Sequence, residues 1–277
     1  MFGVIIGDIA GSRFEWDDYK SKNFKLFGGD GVTDEMCEIT DDSVTALAVC
    51  DALLEWQKRS GDNNLKELLI DKMQYHCKKR LNAGYGNMFY AWLISGSRLP
   101  YNSFGNGAAI RGAAAGWYAN SLTESEHIAE IAASVTHDHP EGIKGAVAAA
   151  GAVFLAKSGA CKPEITEYIN QFYNIDFRLS DIRDTYEYDA TCMGTVPVAI
   201  TAFAESNGFT DAIKNAVSVG GDSDTLAAIT GAVAEAYYGV PVILKKRTMA
   251  YLDDELRSIL MRFVICTVPR EKRDELF

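Results

Sequence analysis

Two short segments concentrate side chains able to do chemistry. Thr40-Asp41-Asp42-Ser43 sets two carboxylates beside two hydroxyls, and Gly220-Gly221-Asp222-Ser223-Asp224-Thr225 repeats that combination far along the chain. Carboxylate and hydroxyl oxygens are hard donors, suited to Mg²⁺, Mn²⁺ or Ca²⁺ rather than zinc. Each segment also reads as an ordinary helix start, with Thr40 or Asp41 as cap and the acids favoured by the helix dipole. The repetition shifts the balance toward a metal site. Four carboxylates gathered in one apolar bundle repel one another unless cations neutralise them. If the two helix starts meet, the site therefore calls for metal. Asp222 and Asp224 are spaced to turn toward one point while Ser223 faces elsewhere. Gly220 and Gly221 permit a sharp backbone turn or a close ligand.

Three other segments carry candidate groups. Residues 7–15 (GDIAGSRFE) form a glycine-bracketed acidic stretch. It is either a tight connection after an N-terminal element or the source of a further carboxylate, Glu15, that reaches the metal site or its water. In Phe104-Gly105-Asn106-Gly107-Ala108-Ala109-Ile110-Arg111, a Gly-Asn-Gly turn leads into a helix and presents free N–H groups to a diphosphate. Arg111 pairs there with phosphate or with a core carboxylate. Thr136-His137-Asp138-His139-Pro140-Glu141 holds two of the four histidines, with no Cys or third His nearby to complete a transition-metal set. It reads as a ligand-binding loop in which His137 hydrogen-bonds a ribose or phosphate, or as a simple cap.

The elements that must position these groups are helices. Apolar spacing predicts them at residues 43–57, 142–157 and 224–238, so that both acidic segments open a helix. Further helices are expected at 65–81, 124–135, 163–172, 196–205, 209–219 and 253–263. Strand signals are sparse: only residues 1–6 read as β-compatible, and short apolar runs are ambiguous by periodicity. The expected fold class is all-α, a compact multi-helix bundle in which Ala and Gly allow close helix contact.

At 277 residues without a Pro-, Ser- or charge-rich linker, one domain spanning 1–277 is expected. A formal charge of −11 argues against a nucleic-acid-binding face, which needs basic residues, but leaves room for a nucleotide-like ligand. No apolar run is long enough to span a membrane, and the N-terminus lacks the basic start and apolar length of a signal peptide, so a cytoplasmic location is expected. The six cysteines form no C-x-x-C pair and read as reduced thiols.

Taken in order, GDIAGSRFE, ITDDS, GNGAAIR, THDHPEG, VPVAI and GGDSDTLAAITGA resemble the ADP-ribosylglycohydrolase family, from residue 7 to about residue 239. That family includes hydrolases of ADP-ribosylated arginine and serine. The resemblance implies an all-α fold with two Mg²⁺ or Mn²⁺ ions at the bottom of an ADP-ribose cleft. Thr40, Asp41, Asp42, Asp222, Asp224 and Thr225 match its metal ligands. Glu15 matches a mobile acidic residue near the distal ribose. Gly105, Asn106 and Gly107 match its phosphate-contacting loop, and His137 falls at a ligand-binding position. Ser43 and Ser223 stand where many relatives have Thr, outside the ligand set.

The implied activity is hydrolysis at the anomeric carbon of ADP-ribose attached to a protein side chain. Glu15, Asp41 or Asp224 would serve as general acid or base, through an oxocarbenium-like transition state. The ADP-ribose moiety is the expected partner, with no nucleic acid and no membrane, and a monomer is favoured. Two other readings use the same residues: hydrolysis of a free conjugate such as O-acetyl-ADP-ribose, and non-catalytic ADP-ribose binding.

Overall fold

A computed structural model describes residues 1–29, 36–59 and 64–268. Among them the regular elements are all helical. The first half of the chain gives α1 (Phe2–Ser12), α2 (Asp41–Lys58), α3 (Leu65–Lys78), α4 (Asn87–Ser95), α5 (Gly107–Tyr118), α6 (Leu122–Ala133) and α7 (Pro140–Lys157). The second half gives α8 (Lys162–Asn170), α9 (Leu179–Ile182), α10 (Cys192–Ala204), α11 (Phe209–Val217), α12 (Ser223–Tyr238), α13 (Val242–Tyr251) and α14 (Asp254–Thr267). One isolated bridge, Gly105 to Thr191, is the sole β pairing among the described residues. The all-α expectation holds.

Helix α12 runs through the middle and is buried from Ser223 to Ala234. It packs against α1, α11 and α10 and also reaches α7, α5 and α2. The α5–α6–α7 group forms a second layer, and α2 joins it to α3 and α14. A helix that is apolar nearly all round belongs in the centre of such a bundle, and Ala and Gly along α5, α7 and α12 keep the neighbouring axes close.

Residues 1–6 correct the reading of a β-compatible start, since they lie in or next to α1. Glycine spacing decided the outcome. Gly3, Gly7 and Gly11 recur every four residues and so share one face of a helix. That face lies directly on the backbone of α12. A Cβ on Gly3 would sit 2.0 Å from the Gly231 carbonyl oxygen, and one on Gly7 2.1 Å from that of Ala227. A Cβ on Gly11 would sit 2.4 Å from Asp224 Cα. The backbone N–H of Gly3, which lacks an intrahelical acceptor in the first turn, donates to Glu235 Oε2 of α12 at 2.6 Å.

The helices expected from periodicity are present with ends moved by a few residues. Thr40 caps α2 by accepting from Asp42 N at 3.3 Å, so Asp41 and Asp42 fall in the first turn. Asp222 occupies the N-cap of α12, and its side chain makes no capping bond. Helices α4, α9 and α13 went unread because each is short and its apolar residues follow no clean stripe. None of the six cysteines is in a disulfide among the described residues, and four of them are buried.

The α1–α12 contact makes a sharp prediction. Gly7→Ala should destabilise the fold by about 3 kcal/mol, since the added methyl overlaps backbone that cannot rotate away. Gly208→Ala, at a position with open space and extended backbone, should change stability by less than about 1 kcal/mol. Urea unfolding midpoints of the two variants check this; equal midpoints would refute the backbone-contact account.

Candidate active site

The site is assembled where the N-termini of α2 and α12 meet the C-terminal end of α1. Asp8, on α1, is the piece that joins them. Its buried carboxylate accepts from Thr40 N at 3.0 Å, Thr40 Oγ1 at 2.7 Å and Ser43 N at 3.1 Å, and Ser43 Oγ donates to it as well. One carboxylate thus satisfies first-turn donors of α2 and fixes its start against α1. On the other side Ser223 Oγ donates to Gly11 O at 3.2 Å, tying the start of α12 to the same helix.

With both helix starts held, the acids converge. Thr225 Oγ1 donates to Asp42 Oδ2 at 2.7 Å across 183 residues of sequence. Oxygens of Glu15, Asp222 and Asp224 lie within 4.8 Å of one another. Gly220 and Gly221 adopt positive φ of 76° and 66°, two successive left-handed residues that only glycine tolerates easily. This turn delivers Asp222 and Asp224 to one spot. Asn106 Nδ2 donates to Asp222 Oδ2 at 2.8 Å and to Thr195 Oγ1 at 3.0 Å.

The convergence raises the carboxyl pKa values. Burial, then the charges of Asp222 and Asp8, push Glu15 up to about 7. Burial and the same two neighbours take Asp41 to about 7, with Arg111 acting the other way. Asp42 is raised by burial and Asp41, and Asp224 by burial and Asp222. Asp8 rises to about 6, its burial only partly offset by the bonds from Ser43 and Thr40.

Elsewhere the chain treats a carboxylate differently. Asp51, further along α2, receives Lys72 at 2.7 Å, Arg262 at 3.2 Å and His76 Nε2 at 3.1 Å. Against its burial, His76 and Lys72 hold it well below the usual carboxylate range. Among the described residues, Glu15, Asp41, Asp42, Asp222 and Asp224 form no ion pair. A cluster of hard oxygen donors without protein cations fits divalent ions such as Mg²⁺ or Mn²⁺.

The acids border a cleft of about 500 Å³. Ten of the eleven candidate residues border it: Glu15, Asp41, Asp42, Asp222, Asp224, Thr225, Gly105, Asn106, Gly107 and His137. Thr40 differs, because its hydroxyl is turned to Asp8. The Gly-Asn-Gly turn also departs from the expected row of free N–H groups. Gly105 N donates to Ser103 Oγ and Asn106 N to Ala190 O, and the Asn106 amide is committed to Asp222. His139 caps α7, with Nδ1 accepting from Glu141 N at 3.1 Å.

Several residues escaped the sequence reading. Asp8 was detectable in principle, as a lone acid inside an otherwise apolar stretch. Trp16 and Tyr188, stacked with ring centroids 5.4 Å apart at the cleft's edge, carry no local signal because 172 positions separate them. Phe89 and Tyr101 also line the cleft, together with Arg111, which the sequence had singled out.

Comparison with known proteins matches this chain and its fold to one family. The chain matches the ADP-ribosylglycohydrolase family description over residues 1–271. It is 25% identical over 313 aligned positions to ADP-ribosylhydrolase ARH3 of Gallus gallus, covering 86% of this chain and 84% of the relative. It is 26% identical to ADP-ribosylarginine hydrolase Tri1 of Pseudomonas putida (strain GB-1), covering 87% of this chain and 70% of the relative. Among solved structures, an ADP-ribosylglycohydrolase-related protein complex superposes with a TM-score of 0.70 at 22% identity, covering 96% of this chain and 95% of that one. That likeness bears on the fold, which is the same all-α architecture. The chain belongs to the ADP-ribosylglycohydrolase family.

Proposed function

We propose that this protein is a divalent-cation-dependent hydrolase that releases ADP-ribose from a modified protein side chain. The observation that carries the reading is the cluster of five buried or half-buried carboxylates with no protein cation paired to them, set beside a cleft with a glycine turn and a histidine on its wall. Thr40, Asp41, Asp42, Asp222, Asp224 and Thr225 would hold two ions, Mg²⁺ or Mn²⁺. When bound, those ions supply the positive charge that stabilises developing negative charge as the glycosidic bond breaks. The two relatives, named for hydrolysis of ADP-ribosylated targets, support the same activity class.

The chain's own groups do the rest. Glu15 is half-buried and has a pKa near 7, which suits a group that takes and returns a proton close to neutral pH. It lies against Asp222 and Asp224, at the edge of the cleft. In the proposed reaction the bond from the anomeric carbon to the side chain breaks and a water oxygen replaces it. The water's proton passes to a carboxylate, and the leaving group gains a proton in turn. Thr225 holds Asp42 and Asn106 holds Asp222, so those carboxylates keep their orientation through the cycle.

Three measurements test this. Asp224→Ala should abolish Mg²⁺- or Mn²⁺-dependent ADP-ribose release, and Glu15→Gln should lower the rate about 10²- to 10⁴-fold with the cation still bound. Full activity in Asp224→Ala would remove the metal assignment. Assayed side by side on ADP-ribosylated arginine, ADP-ribosylated serine and O-acetyl-ADP-ribose, the wild-type protein should favour a protein-linked substrate. Turnover of the small conjugate alone would replace this reading with a metabolite hydrolase.

The third measurement is stability against pH. Glu15, Asp41 and Asp8 have folded-state pKa values of about 7, 7 and 6, above the ordinary carboxylate values. Groups raised in this way favour the fold when protonated, so their contribution is complete below about pH 4 and is lost as pH rises through 6 to 7. The cation-free protein should therefore melt lower at pH 8 than at pH 5, by roughly 5 °C or more. Added Mg²⁺ or Mn²⁺ should recover the loss at pH 8, because it binds the ionised acids. A cation-free Tm that is flat from pH 5 to 8 would contradict the electrostatic account.

A further inference from the structure

His137 enters the cleft just after α6 and is almost wholly buried, at 5% exposure. Its Nδ1 lies 2.8 Å from Thr136 Oγ1 and 3.1 Å from Arg111 Nη1, and Arg111 Nη1 also donates to Thr136 Oγ1. A guanidinium has only donors and keeps its proton at any physiological pH. The imidazole nitrogen that faces it must therefore offer a lone pair. That places the single proton of a neutral ring on Nε2.

Among the described residues, the side-chain hydrogen bonds of His137 all fall on Nδ1. Nε2 faces the turn at residues 105–107 instead. A Cβ built on Gly105 would lie 3.3 Å from it, and one on Gly107 4.0 Å. Glycine at both positions keeps that nitrogen uncovered. A histidine buried only for packing has both nitrogens satisfied within the protein. His137 has one satisfied with a fixed polarity and the other left facing the cleft.

We propose that Arg111 is a positioning residue that locks His137 as the neutral Nε2–H tautomer, so that the cleft receives one uncharged donor for a phosphate oxygen beside the glycine turn. The choice of a phosphate oxygen rests on the ADP-ribose reading above; the tautomer lock does not. Burial and the Arg111 charge hold the His137 pKa well below the usual histidine range, so the ring stays neutral at working pH. Arg111 is itself fixed. It is 2% exposed, and its guanidinium lies over the Phe89 ring at 5.0 Å from the centroid. A neutral donor also suits this cleft chemically. An imidazolium would be drawn to the carboxylates that line the same cleft, whereas a neutral N–H has no such pull and remains available to the ligand.

Long-range ¹H–¹⁵N correlation spectra of the four histidines in the ligand-free, full-length protein test the lock, with His137 assigned through His137→Gln. The wild-type protein should show the Nε2–H pattern for His137, unchanged from pH 6 to 8. Arg111→Met should give mixed tautomers or a titrating ring, while Arg111→Lys, which keeps a donor-only cation, retains the wild-type pattern. In Mg²⁺-containing buffer, Arg111→Met and His137→Phe should each weaken ADP-ribose binding by roughly tenfold, the cost of one lost hydrogen bond. A wild-type His137 that carries its proton on Nδ1, or is protonated at pH 7, overturns the proposal. So does a wild-type pattern in Arg111→Met. If Arg111→Met fails to fold, the wild-type spectrum decides alone. Should the wild-type protein show the lock but bind no ADP-ribose, the ligand assignment falls and the positioning role stands.

Discussion

Everything at the site depends on two backbones touching. Helix α1 has no Cβ where Gly3, Gly7 and Gly11 face α12, so the two backbones approach to a distance that side chains would forbid. That approach puts Gly11 against the first turn of α12 and leaves Asp8 one turn earlier, facing the start of α2. Without it, the two acidic segments would be separate helix caps on separate helices. With it, a single buried carboxylate organises one helix start while the backbone of the same helix receives the hydroxyl of the other. Packing therefore comes first in the causal order, and chemistry follows from where packing leaves the helix ends.

The electrostatics run against stability in a way that marks the site. The chain surrounds Asp51 with Lys72, Arg262 and His76, which is how a protein ordinarily accommodates a partly buried carboxylate. It does nothing similar for Asp42, Asp222 and Asp224, although these are at least as deeply buried, nor for Asp41 beside them. A fold that can neutralise an acid in one part of α2 and leaves two others bare at the N-terminus of the same helix has left room for a charge from outside. Helix dipoles help, since both acid pairs sit at helix N-termini. A dipole contributes fractions of a charge, however, and the cluster carries several.

Much of this was legible in the sequence, and the physical reasons divide cleanly. Residue types at helix starts are local information: Thr40 as a cap, acids in the first turn and the Gly220-Gly221 turn follow from backbone rules that hold in any fold. The same rules located α2, α7 and α12 to within a few residues. What they do not contain is which surfaces meet. Residues 1–6 read as β-compatible because Val4, Ile5 and Ile6 taken alone prefer strands, and the helical outcome comes from glycines that matter only once α12 lies against them. The Gly-Asn-Gly turn read as a row of free N–H groups in part because Ala190, which accepts from Asn106 N–H, is remote in sequence. The Trp16–Tyr188 stack was invisible for the same reason.

The cleft handles charge in opposite ways on its two walls, and that contrast bears on how a substrate is held. One wall gathers carboxylates with no protein cation paired to them, so their net charge depends on what binds. The other contains Arg111, whose positive charge is spent on fixing Thr136 and His137. What that wall offers at His137 is a single oriented N–H. Oriented dipoles stabilise a bound anion without needing to reorganise when it arrives, and they do not compete with cations for the acids opposite. A diphosphate sugar places negative charge and ribose hydroxyls a few bonds apart. On the proposed reading, a cleft that binds cations at its carboxylates and presents a neutral donor at His137 can engage both parts at once, without the two groups neutralising each other.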